Sequence, residues 1–179
     1  MSQSRPLPQH GMFETEGVHL HHLRGEDQSI LMSPVIYIDA HNRQHVAHPG
    51  LITDGRSFRA FFYVIGTPYD NEHLEACIIH DWYCAKSRML TGDARWNLRD
   101  RADKLFGECL MSLGLPDWKR SLMVRAVRKH AEKTQDDPIH PWQKHFISEE
   151  ASHLGAENPF VCSVLGGGRS PGVNVDVIE

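Results

Sequence analysis

The chain has 179 residues, of which 40% are hydrophobic and 23% are charged, and its formal net charge is -4. This length suffices for one domain with a hydrophobic core and is too short to assume two. The charge predicts no general attraction to nucleic acid or anionic membranes, and no apolar run approaches the roughly 18 residues of a membrane-spanning helix. The first ten residues are polar and lack the apolar segment of a signal peptide, so we expect synthesis in a cytoplasm without general secretion.

The N-terminal part of the chain predicts β-strands. Residues 18–21 alternate apolar and polar side chains with the period of two that a half-buried strand shows. Residues 30–38 are rich in strand-forming side chains, and Pro34 within them suggests an edge strand or a bulge. Residues 39–43 predict a turn that leads back into another strand. We therefore expect a small antiparallel β-meander over about residues 18–47.

Helical patterns begin near residue 58. Asn71 and Asp117 are side chains that commonly cap helix N-termini, whereas Gly114 and Pro116 end a helix. The helices predicted from these signals cover about residues 58–65, 71–86, 97–113 and 117–133. Strands followed by helices indicate an α+β fold, with a β-meander and a bundle of three to four helices in a single domain over residues 1–133.

The character of the sequence changes in its last part. Residues 134–179 contain two basic and seven acidic residues, together with prolines and a run of three glycines. Trp142, Phe146 and Phe160 are aromatic residues that a purely solvated linker would not need. We interpret this segment as an irregular, extended C-terminal arm that packs on a neighbouring surface or a partner subunit. A C-terminus without fixed structure is the alternative.

A His-Asp pair inside an apolar run is the strongest chemical signal. Residues 76–83 are mostly apolar but include His80 and Asp81, and burying ionisable groups is costly unless they are paired, metal-bound or catalytic. Adjacent residues on a helix point about 100° apart, so the two side chains must have separate roles. Asp103 on the following helix is the best acceptor for His80. Asp81 is then left to bind a cation together with Asp54.

These residues permit two interpretations. In the first, His80 is a general base, Asp103 orients it, and Asp54 and Asp81 bind a hard cation such as calcium, as in a hydrolase. We then expect a ring nitrogen of His80 within hydrogen-bond distance of Asp103, and an arginine partner for Asp81 would exclude the cation. In the second, His80, Asp81 and Asp103 form a buried polar network that joins two helices.

Two other patterns favour structural roles. His73, Cys77, His80 and Cys84 share one helix face, but four ligands from one straight helix cannot surround a zinc ion, so buried core cysteines are the better interpretation. The basic residues of the helix predicted from Asp117 lie around its whole circumference, which is typical of a solvated helix. We therefore expect no nucleic-acid partner.

Four blocks of sequence resemble a phage and prophage family, the domain-of-unknown-function family 1353. The resemblance spans about residues 23–129, and the matching blocks are residues 49–57, 76–83, either 87–88 or 101–106, and 113–128. It implies a bacteriophage or prophage origin among late, virion-associated genes. It does not imply an established activity.

A shorter motif is similar to the core of bacterial-type phospholipases A2. The similarity lies in Ala76-Cys77-x-x-His80-Asp81, followed by Asp103 and Phe106. It implies that the histidine activates water, the later aspartate orients the histidine, and Asp81 binds calcium with an upstream loop aspartate, here Asp54.

The chain departs from the phospholipase pattern in three respects. Cys84 occupies the position where the family usually has tyrosine, and Tyr83 lies one place earlier. No disulfide partner for Cys77 is evident, and the glycine-rich calcium loop of the secreted animal enzymes is absent.

Two functional classes follow from these resemblances. One is a calcium-dependent lipid esterase that acts from a virion on host membrane lipid. The other is a structural or assembly component of a phage tail or baseplate that binds other phage structural proteins through its C-terminal arm. Both imply location in the virion after synthesis in the host cytoplasm.

Overall fold

The computed structural model describes residues 11–15, 17–23, 28–53 and 73–134, with side chains as far as Ala131. Several predictions concern residues outside these ranges. They are the helix over residues 58–65, the N-cap Asn71, the ligand Asp54 and the C-terminal arm.

Within the described residues the N-terminal part forms two antiparallel sheets of three strands each. One sheet has the order β1-β4-β5 and the other has the order β2-β3-β6. The strands are β1 (Met12–Phe13), β2 (Leu20–His22), β3 (Ser29–Leu31), β4 (Val35–Ile38), β5 (Gln44–Ala47) and β6 (Ile52–Thr53). The strands are antiparallel, as expected, but they divide between two sheets. Strand β1 pairs with β4 in the first sheet, and β6 pairs with β3 in the second.

The run over residues 30–38 forms two strands instead of the expected single one. The chain bends between β3 and β4, and Pro34 immediately precedes β4. The edge-strand prediction for this segment was wrong, because β4 lies in the centre of its sheet. Proline lacks a backbone N–H, so a position just before the strand costs no ladder hydrogen bond. Along β4, Val35 and Tyr37 are fully buried, whereas Ile36 and Ile38 are half-buried.

Three helices follow in the described part of the chain, which confirms the α+β class. They are α1 (Leu74–Arg88), α2 (Gly92–Ser112) and α3 (Asp117–Thr134). Helix α2 begins five residues before the predicted start at residue 97, directly after Thr91, which has extended backbone dihedrals. It ends at Ser112, and Gly114 just beyond it has a φ of 79°, in the left-handed region. The amides of Gly114 and Leu115 bond back to the carbonyls of Met111 and Leu110, a Schellman arrangement in which glycine is favoured.

Helix α1 is the centre of the hydrophobic core. It packs against α2 and also contacts β4 and β5. Consequently both Ile78 and Ile79 are fully buried, and Trp82 is only 1% exposed. A helix buried on most sides shows no clean apolar stripe in sequence, which explains the continuous apolar run around His80. No helix in the described ranges has the length and apolar character needed to cross a membrane.

Candidate functional site

Helix α1 carries His80 into the core, where it meets Asp103 of α2. The Nε2 atom of His80 donates a hydrogen bond of 2.9 Å to Oδ1 of Asp103, and each side chain is only 4% exposed. The imidazole also packs against the ring of Phe106, with 4.9 Å between ring centroids. The hydrogen bond that the sequence predicts is therefore present, whereas a catalytic role for the pair stays a prediction.

Asp103 is also flanked by two arginines that the sequence reasoning did not assign to the site. Arg99 lies one turn earlier on α2, and its Nε is 3.6 Å from Oδ1 of Asp103. Arg128 of α3 places its Nε 3.6 Å from Oδ2. Each carboxylate oxygen thus has a cationic neighbour, and the network connects α1, α2 and α3. An aspartate with arginines three to four residues away on a predicted helix is a weak sequence signal, because it is common on helix surfaces.

Cys84 contacts the imidazole without being aligned for proton transfer. Its Sγ is 3.5 Å from both Nδ1 and Nε2 of His80. A sulfur equidistant from both ring nitrogens within the ring plane would overlap Cε1, so it must lie over the ring face. The sulfur is therefore out of line with the lone pair of either nitrogen. Cys84 consequently packs against His80 and does not form a nucleophile–base pair with it.

The Asp81 carboxylate lies between His80 and the end of β6. Its Oδ2 accepts a hydrogen bond of 2.7 Å from the Thr53 hydroxyl, and its Oδ1 is 3.8 Å from Nδ1 of His80. The side chain is 26% exposed, and none of the described arginines lies within ion-pair distance of it. The arrangement that would exclude a cation at Asp81 is therefore not observed. Thr53 directly precedes Asp54, whose own position lies outside the described residues.

The described residues do not by themselves make a calcium site. Calcium takes six to eight oxygen ligands, and Asp81 with the Thr53 hydroxyl can supply only a small part of them. Across the described ranges no group of three or more His, Cys, Asp or Glu side chains is placed to hold a metal. Cys77 of the His/Cys face on α1 donates a hydrogen bond to the carbonyl of His73, with 2.9 Å between sulfur and oxygen.

The surroundings of His80 change its affinity for protons. Burial by itself disfavours the charged ring and lowers the pKa of His80. The adjacent Cys84 sulfur and the hydrogen-bonded Asp103 carboxylate outweigh this effect, with a further contribution from Asp81, so the pKa of His80 lies well above its ordinary value. The uncharged ring that a general base requires is therefore favoured at higher pH than in a free histidine.

A second polar network was missed by the sequence reasoning. Asp39 is only 2% exposed and accepts hydrogen bonds from the backbone and side chain of Arg43 and from Nε2 of His45. Nδ1 of His45 lies 2.8 Å from the Tyr83 hydroxyl. This chain of hydrogen bonds joins the β4–β5 hairpin to α1. The turn sequence after Asp39 was the available signal, since aspartate often accepts bonds from the turn that it begins.

Comparison with known proteins establishes the family. The chain belongs to the family described as "Protein of unknown function (DUF1353)", whose profile matches residues 30–127. The match covers more than half of the chain and includes Thr53, His80, Asp81 and Asp103. Searches of curated proteins and of solved structures found no match.

Proposed function

We propose that this member of the DUF1353 family is a phage virion-associated hydrolase that cleaves carboxylic esters in phospholipids, with His80 as general base and Asp103 as its orienting partner. The 2.9 Å hydrogen bond from Nε2 of His80 to Asp103 carries the proposal. This bond holds the ring in one orientation and leaves Nδ1 on the side of Asp81. The resemblance of the His-Asp motif to phospholipases A2 supplies the substrate class.

The chemistry assigned to His80 is proton transfer. Its Nδ1 takes a proton from water while the water oxygen bonds to the ester carbonyl carbon. The bond between that carbon and the alcohol oxygen then breaks, and His80 returns the proton to the leaving alcohol. Water and phospholipid are converted to a fatty acid and a lysophospholipid. Asp103 keeps the Nε2 proton in place and stabilises the imidazolium that forms, as the acidic member of a catalytic triad does.

Asp81 and Asp54 are the proposed ligands for calcium. When bound, such an ion would polarise the ester carbonyl. The proton-transfer steps at His80 do not require it, and the described residues supply only part of its ligands. Dependence on calcium is therefore a separate question from dependence on His80.

Fatty-acid release from phospholipid vesicles tests this activity. The full chain is compared with His80→Gln, and His41→Gln serves as control because His41 is exposed in the turn between β4 and β5. We expect release by the parent and the control, and at least a hundredfold loss in His80→Gln with unchanged far-UV circular dichroism. Full activity in His80→Gln, or none in the parent at any calcium concentration, refutes the hydrolase. Parallel assays with a calcium chelator test the role of the ion alone.

A structural role in the phage particle is the second candidate. The observation that favours it is the burial of His80 and Asp103, each 4% exposed and hydrogen-bonded to the other without a substrate. In this case the C-terminal arm over residues 134–179 binds other phage structural proteins. Cross-linking of intact particles tests the idea, with Lys144 of the arm as the reactive group. Cross-links to other virion proteins support it, and the absence of the protein from purified particles refutes it.

A further inference from the structure

A cleft lined with arginines opens where α1 ends and where α2 and α3 pass it. It is a shallow crevice that is partly open to solvent. We name it the arginine cleft, and its lining residues are Ser87, Arg88, Arg95, Trp96, Arg99 and Ala131. These residues come from the last turn of α1, the first half of α2 and the end of α3.

The arginine cleft has a surplus of positive charge. Among the described side chains, no carboxylate lies within ion-pair distance of Arg88 or Arg95. Arg99 is 3.6 Å from Asp103, whose carboxylate also contacts His80 and Arg128, although Arg128 pairs with Asp100 as well. Within the described residues, the three arginines of the lining therefore have a single carboxylate partner between them.

Arg99 is only partly paired. Its side chain is 12% exposed, and its Nε is 3.6 Å from Oδ1 of Asp103, which leaves this buried atom without a hydrogen bond within the described residues. Leaving a charged donor buried and unbonded is costly, so an acceptor that reaches it gains more than one that binds an exposed arginine.

The interaction with the helix dipole favours the position of only one of the three arginines, Arg88. Arg88 lies in the last turn of α1, where a positive charge interacts favourably with the helix dipole. Arg95 lies near the start of α2, where the same interaction is unfavourable. Arg95 is therefore placed against the dipole of its own helix, which an anionic ligand in the cleft would offset.

We propose that the arginine cleft binds a phosphate group with two negative charges, either inorganic phosphate or a phosphomonoester headgroup. Guanidinium groups pair with phosphate oxygens through two parallel hydrogen bonds, and a phosphate offers enough oxygens for three arginines. A carboxylate has only two oxygens and one charge. Trp96, which is 47% exposed, forms an apolar wall at the mouth of the cleft.

This site is distinct from the proposed catalytic centre. Arg99 and His80 contact the same oxygen of Asp103, but the assigned base is Nδ1 of His80, which faces Asp81. Phosphate binding is accordingly independent of ester hydrolysis. His80→Gln should bind phosphate like the parent, so failure of one proposal is distinguishable from failure of the other.

Isothermal titration of the full chain with inorganic phosphate, at constant ionic strength, tests the site. The variants are Arg88→Gln and Arg95→Gln, which remove no described ion pair and so spare the fold. Arg101→Gln is the matched control, because Arg101 is exposed on α2 and does not line the cleft. We expect one saturable site in the parent and control, and about tenfold weaker binding in each cleft variant. No saturable binding in the parent, or equal weakening in the control, overturns the proposal.

Vesicle binding then distinguishes the two sources of phosphate. Phosphatidylcholine vesicles with and without phosphatidic acid are sedimented with the parent and with Arg95→Gln. Recruitment that requires phosphatidic acid and Arg95 identifies a lipid headgroup as a ligand. Saturable binding of inorganic phosphate without such recruitment identifies a soluble phosphate. Either result supports the site, and the absence of both refutes it.

Discussion

Replacing Asp103 with asparagine tests the network that surrounds His80. The substitution keeps the size of the side chain and removes its charge. It weakens the 2.9 Å bond from His80 Nε2 and removes the carboxylate that lies 3.6 Å from the guanidinium groups of Arg99 and Arg128, of which Arg128 keeps Asp100 as a partner. Because the Asp103 side chain is only 4% exposed, water cannot replace the lost interactions.

The expected loss in the free energy of unfolding depends on how exposed each interaction partner of Asp103 is. A buried charge-assisted hydrogen bond contributes about 1.5–3 kcal/mol. Arg128 is 48% exposed and should add at most about 1 kcal/mol, because solvent screens it. Arg99 is 12% exposed and is screened less. We therefore expect Asp103→Asn to lower the free energy of unfolding by about 2–4 kcal/mol, a large part of the ~5–15 kcal/mol typical of a domain.

Urea unfolding at pH 7, followed by far-UV circular dichroism, measures this loss. Asp100→Asn is the control on the same helix, because Asp100 is 50% exposed and pairs with Lys104 and Arg128 at the surface. We expect it to cost about 0–1 kcal/mol. If Asp103→Asn costs no more than Asp100→Asn, the buried network does not stabilise the fold and the reasoning is wrong.

Three further predictions concern stability. Phe106→Ala removes a fully buried ring and should cost about 3–5 kcal/mol in urea unfolding, and a loss below about 1 kcal/mol would mean that the core refills the space. Gly11→Ala should destabilise the fold by about 1–3 kcal/mol and so lower the melting temperature, because a Cβ at residue 11 would collide with the Tyr37 hydroxyl. An unchanged melting temperature would contradict this close approach. Burial raises the pKa of Asp39, but its hydrogen bonds outweigh this and lower the pKa below its ordinary value. Its stabilisation should be complete above about pH 4 and lost on acidification, and Asp39→Asn should abolish that part of the pH dependence in urea unfolding.

The order of strands and helices was predictable because local signals determine it. Alternation marks half-buried strands, and Gly114 and Pro116 end a helix through their own backbone chemistry. The division of the strands between two sheets was not predictable, since pairing depends on contacts between distant segments. The early start of α2 was missed because Gly92 is a poor helix former and does not signal a helix start in the sequence.

By itself, the sequence determined the α+β order, the family and the pairing of His80 with Asp103. A buried histidine needs an acceptor, and the following helix offered a suitable one. Only the tertiary structure decided that Arg99 and Arg128 flank that carboxylate and that Cys84 lies over the ring face. It also brought Arg88, Arg95 and Arg99 into one cleft. The physical reason is that these contacts depend on how the helices pack against one another, which residue spacing within one helix does not specify.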